Sequence, residues 1–365
     1  MKRFYILTAF ITFYTAYVLA SENINYGFSS TIMKRANFSS LPEKISLFSH
    51  IEPSPMPNGK ASGFTFELVC QSDSDPLYGA CDTSPGNAAA HESVAENVSL
   101  LFTEQRTGAK KILVINGSFT GCYWGERPGF THYFGGTYCS GNAQVSTWIS
   151  RGELKKITTG GVWKAHMKLN VAQWHNPHWG ILPNTFWESD ITLDITDDSN
   201  IRIWLPQFHG STANVVMPVI PAYHALHQPG QVSAEKIVET CLYDGYSSNS
   251  RRFEVTLNSD HTDPVTQDFL LQNMSDPTGK PLHYQVIASP PGQPGTMQHL
   301  KPGVTQTYTG INTTAIRLVM MPGLQTPAAC VPWPVKIKLL PFDLSRQPAG
   351  HYSGTLSLTF TPSLD

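Results

Sequence analysis

Apolar and polar residues alternate along most of this chain, and a period of two restricts it to pleated strands with one buried face. In "GVWKAHMKLNV" the residues Trp163, Ala165, Met167, Leu169 and Val171 share one face, with Lys164, His166, Lys168 and Asn170 on the other. "DITLDIT" repeats the pattern with Ile191, Leu193 and Ile195, and "NIRIWLP" with Ile201, Ile203 and Leu205. The "DDSN" at 197–200 has the short polar side chains of a tight turn and predicts a hairpin between these two strands. Further strands are predicted in "SLLFTEQ" (99–105), "KILVING" (111–117), "RFEVTLN" (252–258), "HYQVIAS" (283–289), "VKIKLL" (335–340) and "GTLSLTF" (354–360). A helical signal is confined to one or two turns in "AAAHESVAEN" (88–97).

Strands at this spacing, joined by turns drawn from 28 glycines and 27 prolines, predict an all-β protein of antiparallel sandwiches. The 365 residues suffice for two domains with proper cores. Residues 1–20 stand apart: Lys2 and Arg3, an apolar run, and Val18-Leu19-Ala20 before Ser21 form a secretory signal peptide. "LPQFHGST" (205–212) is the expected boundary, giving domains 21–206 and 212–365 with a linker at 207–211. No later stretch has the apolar length of a membrane span. Without Lys2 and Arg3 the 25 basic residues fall to 23 against 27 acidic ones, with no basic stripe, which argues against a nucleic-acid partner.

Six cysteines behind a signal peptide imply disulfides, because the compartment is oxidising. Their spacing suggests Cys70 with Cys81, Cys122 with Cys139, and Cys241 with Cys330. No C-x-x-C pair supports a metal site.

Several long segments resemble the tip adhesins of class 5 fimbriae, the minor subunits assembled by the alternate chaperone/usher route in Gram-negative bacteria. They are "CDTSPGNAAAHESVAENVSLLFTEQRTGAKK", "GELKKITTGGVWKAHMKLNV", "ITLDITDDSNIRIWLPQF", "CLYDGYSSNS" and "AGHYSGTLSLTFTPS". The resemblance implies two immunoglobulin-like β-sandwich domains: an N-terminal adhesin domain and a C-terminal pilin domain that lacks its final strand. A donor strand completes that pilin sandwich, first from a periplasmic chaperone and then from the major pilin subunit, at an outer-membrane usher. The edge row Leu356, Leu358 and Phe360 is the expected lining of the donor-strand groove. The family implies export through the periplasm to the fimbrial tip, host-cell attachment, and no cofactor. In "CLYDGYSSNS" the residues Tyr243, Asp244 and Tyr246 are expected to shape a strand end beside Cys241.

One segment carries candidate recognition chemistry. "VAQWHNPHWGILPNTFW" (171–187) holds three of the chain's eight tryptophans and is expected as a connection at the outer pole of the adhesin domain. The family presents consecutive arginines there for acidic sugars; this chain has Ala172, Gln173 and Trp174, and Thr65 stands near another family arginine. Aromatic rings take the apolar faces of sugars, while amides and imidazoles take the hydroxyls. Trp174, Trp179 and Trp187 are therefore the expected platforms, with Gln173, His175, Asn176 and His178 as polar arms for a neutral glycan or glycoprotein. Any single tryptophan fits equally well as a plug for the end of the core. Arg127 and His132, in the aromatic loop 120–141, are the candidates for an acidic sugar. His175 and His178 lack a third metal ligand, and Pro177 opposes a helix that would align them.

No G-x-S-x-G, H-E-x-x-H or P-loop motif occurs, so catalysis is not expected. The alternatives are an assembly initiator that caps the fibre without a major adhesive role, and a secreted glycan-active enzyme with a carboxylate pair.

Overall fold

A computed structural model describes residues 27–51, 66–85, 96–121, 125–131, 144–175, 178–221 and 230–363. The expected signal peptide, the expected Cys122–Cys139 pair and all but the end of the 88–97 segment lie outside the described residues. The first half contains β1 (Phe28–Asn37), β2 (Lys44–Ile51), β3 (Phe66–Val69), β4 (Val98–Glu104), β5 (Lys110–Gly121), β6 (Gly125–Pro128), β7 (Gln144–Ser150), β8 (Gly161–His175) and β9 (His178–Thr196). The second contains β10 (Arg202–Trp204), β11 (Ile220–Pro221), β12 (Gln231–Val238), β13 (Cys241–Tyr243), β14 (Arg252–Ser259), β15 (Phe269–Asn273) and β16 (Leu282–Ala288). It continues with β17 (Gln298–Leu300), β18 (Gln306–Thr309), β19 (Arg317–Val319), β20 (Ala328–Pro332), β21 (Val335–Asp343), β22 (Tyr352–Ser353) and β23 (Leu356–Pro362).

In the first domain the strands run β1-β9-β8-β4-β5-β7-β2, with β3 beside β8 and β6 beside β5. The two layers are joined by β5. Its first half, Lys110–Ile115, pairs with β4, and its second half, from Asn116, pairs with β7. Gly117 sits just past that switch, where a Cβ would stand 2.4 Å from the ring of Phe130. A strand that changes sheets folds one ribbon into a sandwich around a single core. The predicted alternation is met on β8: Trp163, Ala165, Met167, Leu169 and Val171 are all buried. Ile191, Leu193 and Ile195 do the same on β9. β1 lies parallel to β9, from Phe28 opposite Trp187 to Asn37 opposite Thr196.

The "DDSN" segment does not make the predicted hairpin. Asp198–Asn200 form a short 3-10 turn that leaves β9 in one sheet and delivers β10 to another, β10-β13-β20-β19. β10 pairs with β13, so the strand at 202–204, expected in the first domain, belongs to the second. The hinge between domains is the turn itself, ahead of the expected 207–211. Turn chemistry specifies a reversal but not the sheet that receives the next strand.

The second domain packs β11-β12-β21-β16-β15-β22 against β18-β14-β23. Its core includes Phe253, Val255, Leu257, Phe269, Tyr284, Val286, Trp333 and Leu339. Tyr352 donates its hydroxyl to the carbonyl of Pro348 at 2.8 Å, closing the turn that leads toward β23. Cys70–Cys81 and Cys241–Cys330 are bonded as their spacing suggested. The latter closes a loop with a sequence separation of 89, worth about 4–5 kcal/mol in the chain-entropy model.

Candidate functional site

Strand directions bring the ends of β2, β5 and β8 and the starts of β3, β6, β7 and β9 to one pole of the first domain, opposite the hinge. The β8–β9 hairpin reaches this pole in two parts. Its stem pairs Gly161–Asn170 with Phe186–Ile195. Its outer arm pairs Ala172 with Ile181, Gln173 with Gly180, Trp174 with Trp179 and His175 with His178. Between stem and arm, Leu182, Pro183, Asn184 and Thr185 of β9 stand against the single residue Val171 of β8. Asn184 takes the left-handed conformation (φ 53°), and Thr185 Oγ1 donates to the carbonyl of Pro183 at 3.1 Å. An excursion of this kind bends the hairpin and re-aims its end.

The segment 171–187 is thus largely strand and not a loop, which corrects the expectation from its composition. β3 flanks the arm on its other side, with Phe66 opposite Gln173 and Glu67 opposite Ala172. Glu67 is buried there. Arg127, on exposed β6 opposite Phe119, comes to the same pole. Asn176 and His132 lie outside the described residues.

Trp187 is a correction. It is fully buried in the first core, opposite Leu169 and Phe28. Its ring meets Phe48 edge-on at 5.3 Å, Phe28 at 5.5 Å and Phe130 at 6.5 Å. Its Nε1 has no hydrogen-bond partner among the described residues. Trp187 plugs the core beneath the pole and offers no surface to a ligand.

The second feature is an edge. β23 pairs antiparallel with β14, Leu358 opposite Leu257 and Phe360 opposite Val255, and has no ladder partner on its other side among the described residues. Leu356, Leu358 and Phe360 are only half-buried, although they pack on the second core. Phe360 meets Phe253 edge-on at 4.7 Å. Residues 212–219 form no ladder, yet Val215 and Met217 pack on that same core while Val216 is 73% exposed.

The third feature was not legible in the sequence. "CLYDGYSSNS" is the joint between domains. Asp197 N donates to Gly245 O at 2.9 Å, Ser247 Oγ to Gly160 O at 2.5 Å, and Asn249 Nδ2 to Glu104 Oε1 at 3.1 Å. Tyr246 donates its hydroxyl to Asp194. Glu104 is fully buried and satisfied by Arg106 N, Thr107 N, Thr107 Oγ1 and Val162 N. Asp244 is fully buried and accepts the N–H groups of Tyr246, Ser248 and Ser250. Burial pushes its carboxyl above the usual range, against the opposing pull of those N–H groups. Burial likewise raises Asp197, offset in part by Asn200. Arg106 Nη2 adds a bond to Thr314 O at 2.8 Å, and the hydroxyls of Thr158 and Thr326 meet at 2.8 Å.

Comparison with known proteins agrees with this architecture. Residues 23–198 match the first domain, and residues 201–364 the second domain, of the family described as CfaE, a CFA/I fimbrial subunit. CfaE of Escherichia coli is 31% identical over 305 residues, covering 81% of this chain and 80% of that protein. The crystal structure of CfaE, the adhesive subunit of CFA/I fimbria of enterotoxigenic Escherichia coli, superposes with a TM-score of 0.77 at 24% identity, covering 92% of this chain and 93% of the other. A structure of a chaperone–tip adhesin complex from CFA/I fimbriae biogenesis superposes with a TM-score of 0.63, also at 24% identity, over 92% of this chain and 97% of the other.

Proposed function

The chain belongs to the CfaE family of fimbrial tip adhesins, and we propose that it attaches a fimbria to host-cell glycans or glycoproteins through the pole of its first domain. The observation that carries this reading is the outer arm of the β8–β9 hairpin, projected past a bulge with Trp174 opposite Trp179. Gln173, His175, Asn176 and His178 complete a set suited to a neutral sugar, whose hydroxyls need donors and acceptors and not a fixed charge. Arg127 at the same pole, and His132, which lies outside the described residues, are the candidates were the sugar acidic. The relatives are fimbrial proteins and not enzymes; this chain binds its glycan and leaves it intact.

The second domain accepts a strand along β23. The open ladder edge, the half-buried row Leu356, Leu358 and Phe360, and the unladdered Val215 and Met217 support a gap that one extended segment would fill. A periplasmic chaperone supplies that segment during export, and the major pilin replaces it at the outer-membrane usher, leaving the chain at the fimbrial tip. The same edge favours a second reading, in which capping and nucleating the fibre is the main role. A glycan array probed with the wild type and with Trp174→Ala and Trp179→Ala separates the two. No glycan binding by the wild type would leave only the capping role, and binding retained by both variants would move the site off the outer arm.

A further inference from the structure

We infer that the outer face of the β2–β7–β5 layer of the first domain carries a second glycan site, apart from the pole, in which Trp148 stacks on a sugar ring and Lys44 pairs with a carboxylate of that sugar. β7 alternates strictly, with Val145, Thr147 and Ile149 inward and fully buried. Trp148 therefore stands on the solvent side, where it is only half-buried. A tryptophan that serves only to stabilise a sheet packs against β-branched or aromatic cross-strand partners. Here the four neighbours on its face are short and polar: Asn116 opposite on β5, Ser46 opposite on β2, and Ser146 and Ser150 along β7 itself. The indole rises above them as a platform. It meets no other aromatic ring among the described residues, and its Nε1 donates to none of them.

Lys44 lies over that ring, with its Nζ 4.6 Å from the centroid. The negative face of the indole holds the ammonium there. Lys44 is exposed and has no ion pair among the described residues, whereas the adjoining Glu43 is engaged by Arg151 at 2.7 Å. Its flexible stem can swing aside without disturbing the sheet, exchanging the ring contact for a ligand carboxylate while the ring takes the apolar face of the same sugar.

Groups for the sugar hydroxyls surround the platform. Ser146 Oγ accepts the N–H of His50 at 3.0 Å and keeps its own hydrogen to donate. Ser46 Oγ donates to Phe48 O at 3.3 Å and keeps lone pairs to accept. Asn116 Nδ2 donates to Val114 O at 3.4 Å, which leaves Oδ1 open. An aromatic face, an unpaired cation and small donors and acceptors beside them suit an acidic sugar. The site lies on the flank: Trp148 is the fifth residue of β7, on the order of 13 Å from the pole where that strand begins.

The test uses the full chain with its eight tryptophans replaced by 5-fluorotryptophan and read by fluorine NMR. Trp148→Phe, Trp174→Phe and Trp179→Phe assign the resonances of the flank and of the pole. The probes are a hyaluronan tetrasaccharide and sialyllactose, with lactose as the neutral control. At least one acidic probe is expected to shift the Trp148 resonance, also in a variant carrying both Trp174→Ala and Trp179→Ala, and lactose to shift it less. Lys44→Gln is expected to weaken that response by roughly two- to fivefold in affinity, the worth of an exposed ion pair. A Trp148 resonance unmoved by both acidic probes would overturn the site, whatever the pole tryptophans do. Loss of the shift in the double variant would merge it with the pole. A response to lactose equal to that of the acidic probes, with Lys44→Gln silent, would overturn the carboxylate pairing.

Discussion

The carbonyl of Gly245 accepts the N–H of Asp197, and a Cβ on Gly245 would stand 2.0 Å from the carbonyl oxygen of Asp197. Gly245 also has φ 68°, a conformation that costs an L side chain about 1–2 kcal/mol before any clash. Gly160 is pressed in return against the Gly245 carbonyl, 2.1 Å from where its own Cβ would be. The joint is two backbones in contact. Gly245→Ala is expected to separate the domains while each core survives. Limited proteolysis checks this: cleavage at residues 197–201 should accelerate in the variant, with unchanged tryptophan fluorescence of the isolated fragments.

Asp244 supplies a pH signature. Its carboxyl titrates above the ordinary 3.8 because burial disfavours the charge. The folded form therefore binds its proton more tightly than the unfolded chain. The cost of the buried charge is complete above the raised folded value. It is relieved as pH falls through that value toward 3.8. Asp244→Asn abolishes this titration and sets an amide N–H against one backbone donor, costing about 1–3 kcal/mol at neutral pH. The stability gap between wild type and variant is expected to widen on acidification, measured by urea melts between neutral pH and pH about 4.

The tryptophans of 171–187 divide by position. Trp187→Ala removes a fully buried ring among Phe28, Phe48 and Phe130 and is expected to cost about 3–5 kcal/mol. Trp174→Ala and Trp179→Ala are expected to shift stability by roughly 0.5 kcal/mol or less while abolishing host-cell attachment. Calorimetry and adhesion counts on the three variants test the division. A melt lowered equally by all three would place the outer tryptophans in the core as well.

Leu358→Arg puts a charge into the half-buried row of β23. Incorporation into fibres is expected to fall at least tenfold, since an unpaired charge in an apolar contact costs more than the roughly 1.4 kcal/mol that a factor of ten represents. The first-domain melt should not move. Immunogold counting of the tip protein measures the first effect and calorimetry the second.

Much of this architecture was legible because a strand with one buried face writes its orientation into every second residue. Trp163 to Val171 and Ile191 to Ile195 needed no further information. The same rule held an unused signal: Trp187 has the parity of Ile191, Leu193 and Ile195, which marks it as inward-facing. Its burial was hidden by the neighbouring prolines and histidines, which suggested a loop. The joint was illegible for a different reason. Tyr246, Ser247 and Asn249 find their partners at Asp194, Gly160 and Glu104, more than fifty residues away on another domain. No local pattern encodes such a meeting.

β9 runs without interruption in the chain from the pole to the hinge, 19 residues and on the order of 50 Å. Tension between a target held at the hairpin end and a fibre pulling from the second domain therefore travels lengthwise through covalent bonds. The ladders that tie β9 to β1 and β8 are loaded in shear, many rungs at once, and not peeled one by one. Mechanical failure is thereby shifted away from the sandwich and onto the short turn at 198–200 and the contacts around it.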